Sequence, residues 1–219
     1  MNTLRPPRLS AREELAALTQ ERVLRAVAEL LRQSQEEVTF ESVARESGVP
    51  QRTLYRHFAN KEALFGAFWR WMNERIEMPA LPTSPEEVVL QIPALFAAFD
   101  RDEALVRAML HHPYGRAVRL AHAEARRTKF GEALREITEL LPSDAAQRLL
   151  AAVTVLCSAS GWESMKDNWE LSGAAAANAA QWAVQALIDN ARELSRTNNT
   201  ETPAPRNDPF SGREGDDRS

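Results

Sequence analysis

The stretch from Gln51 to Lys61 gathers Gln51, Arg52, Thr53, Tyr55, Arg56, His57 and Lys61 without one carboxylate among them. Arginine and glutamine forks match base edges, while lysine, hydroxyl and imidazole groups match phosphate oxygens. Leu54 and Phe58 fall four apart in the same stretch. On a helix that spacing turns them to one side and leaves the donors on the other. The chemistry on offer is recognition of a polyanion by one face of a short helix. Covalent chemistry finds less support. The four histidines, His57, His111, His112 and His122, are preceded three residues earlier by Leu54, Ala108, Met109 and Arg119. No Glu-x-x-His pair exists for a carboxylate-bridged metal site, and no His-Glu-x-x-His helix for zinc. A Gly-x-Ser-x-Gly elbow and a glycine-lysine phosphate loop are absent too. We expect no catalytic residues, no metal and no cofactor.

A recognising face needs rigid support, and the flanking sequence is helical throughout. Val23, Leu24, Val27, Leu30 and Leu31 recur at helical spacing behind Thr19, which we read as the cap of a first helix. Thr39 caps a short helix from Phe40 to Glu46, and Gly48 stands where a left-handed residue would end it. Pro50 opens the donor-rich helix at a first-turn position. Asn60 caps a longer one, from Lys61 to about Met78, with Leu64, Phe65, Phe68, Trp69 and Met72 as its stripe. Two short helices joined by Ser47-Gly48-Val49, the second carrying the donors, form a helix-turn-helix pattern at about 39–58. Residues 80–83, bounded by Pro79 and Ser84, mark a boundary. Beyond it we expect helices over 84–99 (broken near Pro93), 102–111, 115–141 (weakened at Gly131), 143–167 and 172–196, about nine in all. No alternating strand pattern is found.

Composition frames this reading. The 219 residues carry 27 basic and 31 acidic side chains, a net charge of −4. Residues 1–75 hold 12 basic against 10 acidic, a net +2, and the remainder a net −6. The positive charge is local, so the overall acidity does not argue against an anionic partner. Eight glycines are too few for a glycine-punctuated β-barrel. The lone Cys157 cannot form an internal disulfide and reads as a small buried side chain. With no continuous apolar span and no export signal, a cytoplasmic protein without a membrane partner is expected.

The motif residues carry a family resemblance. Val43-Ala44, Ser47-Gly48-Val49, Thr53-Leu54-Tyr55-Arg56-His57-Phe58 and Lys61-Glu62-Ala63-Leu64 together resemble the signature of TetR-family transcriptional regulators. The match covers about residues 19–72. Arg52 stands where the family commonly has glycine, and Pro50 where it often has serine or threonine, so both departures bear on the operator. The resemblance implies an all-α fold with an N-terminal three-helix DNA-binding domain and a larger helical ligand-binding and dimerisation bundle. The boundaries then read 1–18 as a flexible arm, 19–79 as DNA-binding, 80–196 as ligand-binding and dimerising, and 197–219 as a disordered tail.

Roles follow residue by residue. Lys61, Tyr55, His57, Thr39 and Thr53 are expected on phosphates of a double-stranded operator, with Gln51, Arg52 and Arg56 nearest the bases. Ala176, Ala179, Ala180, Ala183 and Ala186 would let a second helix approach closely. With Leu149, Leu150, Val153 and Leu156 they suggest a homodimeric four-helix bundle. Candidate pocket residues for a small apolar effector are Phe96, Phe99, Met109, His112, Phe130, Trp162, Met165 and Trp169. The expected function is a homodimeric repressor released from a palindromic operator by that effector. Two other classes stay open: a ligand-independent helix-turn-helix regulator or activator, and a helical enzyme or lipid carrier.

Overall fold

The computed structural model describes residues 10–33 and 38–200. Every regular element among them is a helix. The front unit comprises α1 (Ala11–Gln33), α2 (Phe40–Ser47), α3 (Gln51–His57) and α4 (Lys61–Arg75). The first helix starts eight residues earlier than its expected cap at Thr19, and the arm read as flexible over 1–18 is helical from Ala11 onward. Its start is set by Ser10 and Glu13, which trade backbone and side-chain hydrogen bonds in the reciprocal pattern that satisfies orphan amides. The Thr19 hydroxyl instead donates back to the Leu15 carbonyl at 2.8 Å. Residues 1–9 of the expected arm lie outside the described residues, as do 201–219 of the expected tail.

Capping chemistry then times each front helix. Thr39 and Ser42 exchange bonds at the start of α2, amide to hydroxyl at 3.0 and 2.9 Å. Gly48 ends α2 in the left-handed region at φ 64°, and the Arg22 guanidinium of α1 donates to the Ser47 carbonyl at 2.8 Å. Pro50 sits just before α3, one residue earlier than expected. Asn60 caps α4 by accepting from the Ala63 amide at 2.8 Å. Val23, Val27, Val43, Leu54, Phe65 and Phe68 are wholly enclosed where α1 to α4 converge. Trp71 of α4 donates its indole N–H to Glu21 of α1 at 2.6 Å, pinning the two helices.

The rear unit comprises α5 (Pro85–Leu90), α6 (Ile92–Arg101), α7 (Glu103–His111), α8 (Pro113–Ala121), α9 (Ala123–Ala133), α10 (Arg135–Thr138), α11 (Ser143–Leu156), α12 (Ala159–Trp169) and α13 (Gly173–Thr200). Segments expected as single helices are divided. The stretch 115–141 breaks at His122 and Leu134, while Gly131 passes through α9 undisturbed. Packing explains the divisions. The front part, α8, lies on α4, whereas α9 lies on α11 and α5, and the buried Leu134 turns into the rear core. Ser143 makes no cap, and Ser158 starts a separate α12 by accepting from the Gly161 amide at 3.1 Å. Ser172 does cap α13, accepting from the Ala175 amide at 3.2 Å.

The rear core forms where α13 lies along α6. Ala176, Ala180, Val184, Ile188 and Ala191 are buried along one face of α13. Ala176 and Ala180 were expected to receive a second chain; they are spent within this one, against its own helices, as are Leu149 and Val153. Trp162 is fully enclosed, and its indole N–H donates to Asp100 at 3.0 Å. No helix among the described residues is long and apolar enough to cross a membrane.

Two glycines give opposite expectations. Gly48→Ala forces a Cβ into the left-handed region against Arg22 and should cost about 1 kcal/mol. Gly131→Ala adds a methyl in open space on a helix and should stabilise by about 1 kcal/mol. Urea unfolding of both variants checks the pair; equal signs would show that backbone preference does not govern these positions.

Candidate nucleic-acid interface

Leu54 and Phe58 are buried at 0% and 2% exposure, and they fasten α3 to the front core. Gln51, Arg52, Tyr55 and Arg56 consequently face solvent, while Thr53 and His57 are half-buried beside them. Leu54 also closes the far end of α3 by accepting from the Phe58 amide at 2.8 Å. Tyr55 is more than an exposed phenol. Its ring stacks face to face on Phe40 at 4.4 Å between centroids and 4° between planes, so the start of α2 fixes its direction. The Thr39 hydroxyl is engaged with Ser42 and holds the start of α2. Seven of the eight residues expected to contact DNA lie on α3 or at the start of α4, and Thr39 joins them as the cap of α2.

Lys61 has a neighbour that no local pattern announces. Its ammonium lies 5.5 Å from the ring centroid of Tyr114, a residue of α8, within reach of a cation–π attraction. The Tyr114 ring stacks on Phe65 at 4.8 Å, and Phe65 also stacks on His112 at 5.1 Å. His112 accepts from the Tyr114 amide at the start of α8. The junction of α7 and α8 thus touches the base of the donor-bearing surface formed by α3 and the start of α4. It is tightly built: a Cβ at Gly115 would strike the Met109 carbonyl.

The eight expected pocket residues do not converge. Phe99 and Met109 line a cavity of about 20 Å³ with Trp69, Met72, Ile76 and Val106. Phe130 lines a second, of about 60 Å³, with Leu81, Val88, Ile92 and Leu95. Phe96 and Trp162 are fully buried packing residues. Met165 and Trp169 border an open surface hollow, Trp169 being 77% exposed. His112 belongs to the junction already described. Two arginines missing from the expected set reach the cavities: Arg119 the first and Arg126 the second. Both guanidiniums are held below their ordinary range, chiefly by burial. No spacing in the sequence marks them, and only packing reveals their burial. Burial also pushes the Cys157 thiol up to about 12, so it stays protonated and inert at neutral pH.

The family model of bacterial regulatory proteins of the tetR family matches residues 24–68, from the middle of α1 through α3 to the middle of α4. A solved structure, a TetR transcriptional regulator from Rhodococcus sp. RHA1, is similar over 82% of this chain and 99% of that one, with 22% identity and a TM-score of 0.44. No curated protein sequence matches the chain. The matched segment spans the capped turn at Gly48, the donor face of α3 and the start of α4, and over these residues the front unit is similar to the N-terminal segment of bacterial regulatory proteins of the tetR family.

Proposed function

We propose that the chain is a homodimeric repressor that leaves a palindromic operator when a small apolar molecule enters its rear helices. The observation that carries this reading is the contact between Lys61 and Tyr114. It joins a residue of the DNA-facing surface to the helix junction beside the rear cavities. In this reading α3 enters the major groove, with Gln51, Arg52 and Arg56 toward the bases and Lys61, Tyr55, His57, Thr39 and Thr53 toward phosphates. A two-fold dimer must hold its two copies of α3 roughly 34–36 Å apart to meet successive grooves.

Support for the dimer comes from the outer faces of α11 and α13. Val155 and Trp182 remain 62% and 76% exposed there, and covering such side chains stabilises by about 1.5–3 kcal/mol each. For release, an effector must favour a spacing that DNA cannot use. A hundredfold loss of operator affinity needs about 2.7 kcal/mol of difference, and the operator must weaken the effector equally. One observation favours the ligand-independent alternative. The two apolar cavities, of about 20 and 60 Å³, are small beside the roughly 300–1,000 Å³ of typical small-molecule sites, so an effector of ordinary size enters either of them only if the helices part.

Two experiments test the reading. Lys61→Ala should weaken binding to all sequences alike and flatten the salt slope by about 1 unit. Arg52→Ala should instead relax preference at one base position, by about 1–3 kcal/mol. Operator variants titrated at several salt concentrations separate these outcomes, and identical behaviour of the two mutants would refute the division of roles. Trp182→Arg places an uncompensated charge at the proposed interface and should yield monomers by light scattering, with operator affinity lost in parallel. A mutant that stays dimeric with full affinity moves the interface elsewhere.

A further inference from the structure

Arg119 and Arg126 stand seven apart, on either side of the break at His122, and they differ in how their charge is met. Arg119 donates to the Met109 and Leu110 carbonyls at 2.7 and 2.9 Å. It thereby satisfies the end of α7, a common use of arginine at a helix C-terminus. Arg126 has no such employment. Its Nε is buried without a hydrogen-bond partner, and among the described residues it forms no ion pair. The nearby charges are of its own sign, with Arg127 acting on Arg126 and Arg126 on Arg119. A buried donor left unmade and a cation left unpaired both cost folding free energy.

The space beside Arg126 is lined mostly by apolar side chains, with Gln91 as an uncharged polar member. Leu81, Val88, Ile92, Leu95 and Phe130 form most of the wall, and Arg126 is the one charged residue lining it. Cys157, also in the wall, is neutral at physiological pH. The other buried orphan among the described residues, Asn73 Oδ1, lies outside this lining. An apolar wall with a single unneutralised guanidinium fits one ligand chemistry: a carboxylate joined to an apolar body. The carboxylate accepts from the guanidinium, an interaction strengthened by charge, and the carbon chain replaces water against Leu95 and Phe130. The volume of about 60 Å³ takes the head and first carbons. A longer body must press on Pro79, Leu81 and Pro82, which also line the cavity.

We propose that Arg126 makes this cavity a binding site for amphipathic organic anions, monocarboxylates with a short apolar chain. The proposal rests on reading the rear helices as effector-binding and specifies the effector's charge. The test is calorimetric titration of the full chain with butanoate, hexanoate and octanoate, each beside its primary amide, for the native protein and Arg126→Met. At the best length, the native protein should prefer carboxylate to amide by about ten- to a hundredfold. Arg126→Met should abolish that preference while leaving amide binding within about twofold. Because the substitution removes an unpaired, half-buried cation whose Nε is enclosed, it should also raise the unliganded Tm by about 2–4 °C.

Amides that bind as well as carboxylates, or carboxylate binding unchanged in Arg126→Met, would overturn the anion site while leaving an apolar effector tenable. Failure of every carboxylate to bind, or a lowered Tm in the variant, would overturn it as well. Arg126-dependent carboxylate binding that does not alter DNA affinity would sustain the site and refute the effector reading instead.

Discussion

Leu105, Met109 and Val118 come from α7 and α8 yet lie buried in the core that α1 to α4 build, so the front unit depends on helices it does not contain. Without them the inner sides of α1 and α4 would lose part of their cover, and burying such side chains is worth about 1.5–3 kcal/mol apiece. Arg32 reinforces the union by pairing with Asp102, the residue that caps α7. Partly exposed pairs of this kind add little stability on their own, but this one fixes α7 in register with α1. The helix α4 completes the link. Its Leu64, Phe65, Phe68 and Met72 belong to the front core, while Ile76 just beyond it belongs to the rear. Arg101 of α6 holds that end by donating to the Ile76 carbonyl.

Mechanical coupling between the halves follows from this arrangement. Close-packed interiors transmit displacement because they have few voids to absorb it. A shift of α7 and α8 is felt directly by Phe65 through Tyr114 and His112, and by Lys61 through Tyr114. On the opposite side of α7, Arg107 reaches Glu103, Glu163 and Asp167, and Lys166 reaches Asp100 and Glu103. This ionic lattice ties α7 to α12 and α6. The junction between α7 and α8 is thus held by apolar stacking on one side and by charge on the other.

The front unit was legible in the sequence because its determinants are local. Thr39, Gly48 and Asn60 act within a few residues of the atoms they satisfy, and Leu54 with Phe58 announces the buried side of α3. The start of α1 was not legible: Ser10 and Glu13 set it, but Thr19 stands nearer the first apolar stripe and reads as the cap. The breaks at His122 and Leu134 were not legible. Neither site carries proline or glycine, and competing partners, α4 for one segment and α11 for the next, decide the bend. The cavity was hidden for a related reason. Aromatic residues at helical spacing look alike whether they fill a core, line a hollow or face solvent, and Phe96, Phe130 and Trp169 occupy those three situations in turn. Arg126 could not be distinguished from Arg127 until α9 was laid against its neighbours.

The two sides of α13 are held to different standards. Toward α6 it presents Ala176, Ala180 and Val184, all fully enclosed, and at its start a Cβ on Gly173 would collide with the Asp100 carboxylate. Side chains there can grow only if Phe96 or Phe99 across the seam shrinks, since overfilling a tight core is as costly as hollowing it. Over generations, such positions should change in compensating pairs. Asn178 and Gln185, on the outer side beside Trp182, meet no such wall within the chain, and their freedom is set by what packs on that face. One helix would then carry two evolutionary clocks, one set by this chain's own seam facing inward and one set by whatever meets Trp182 facing out.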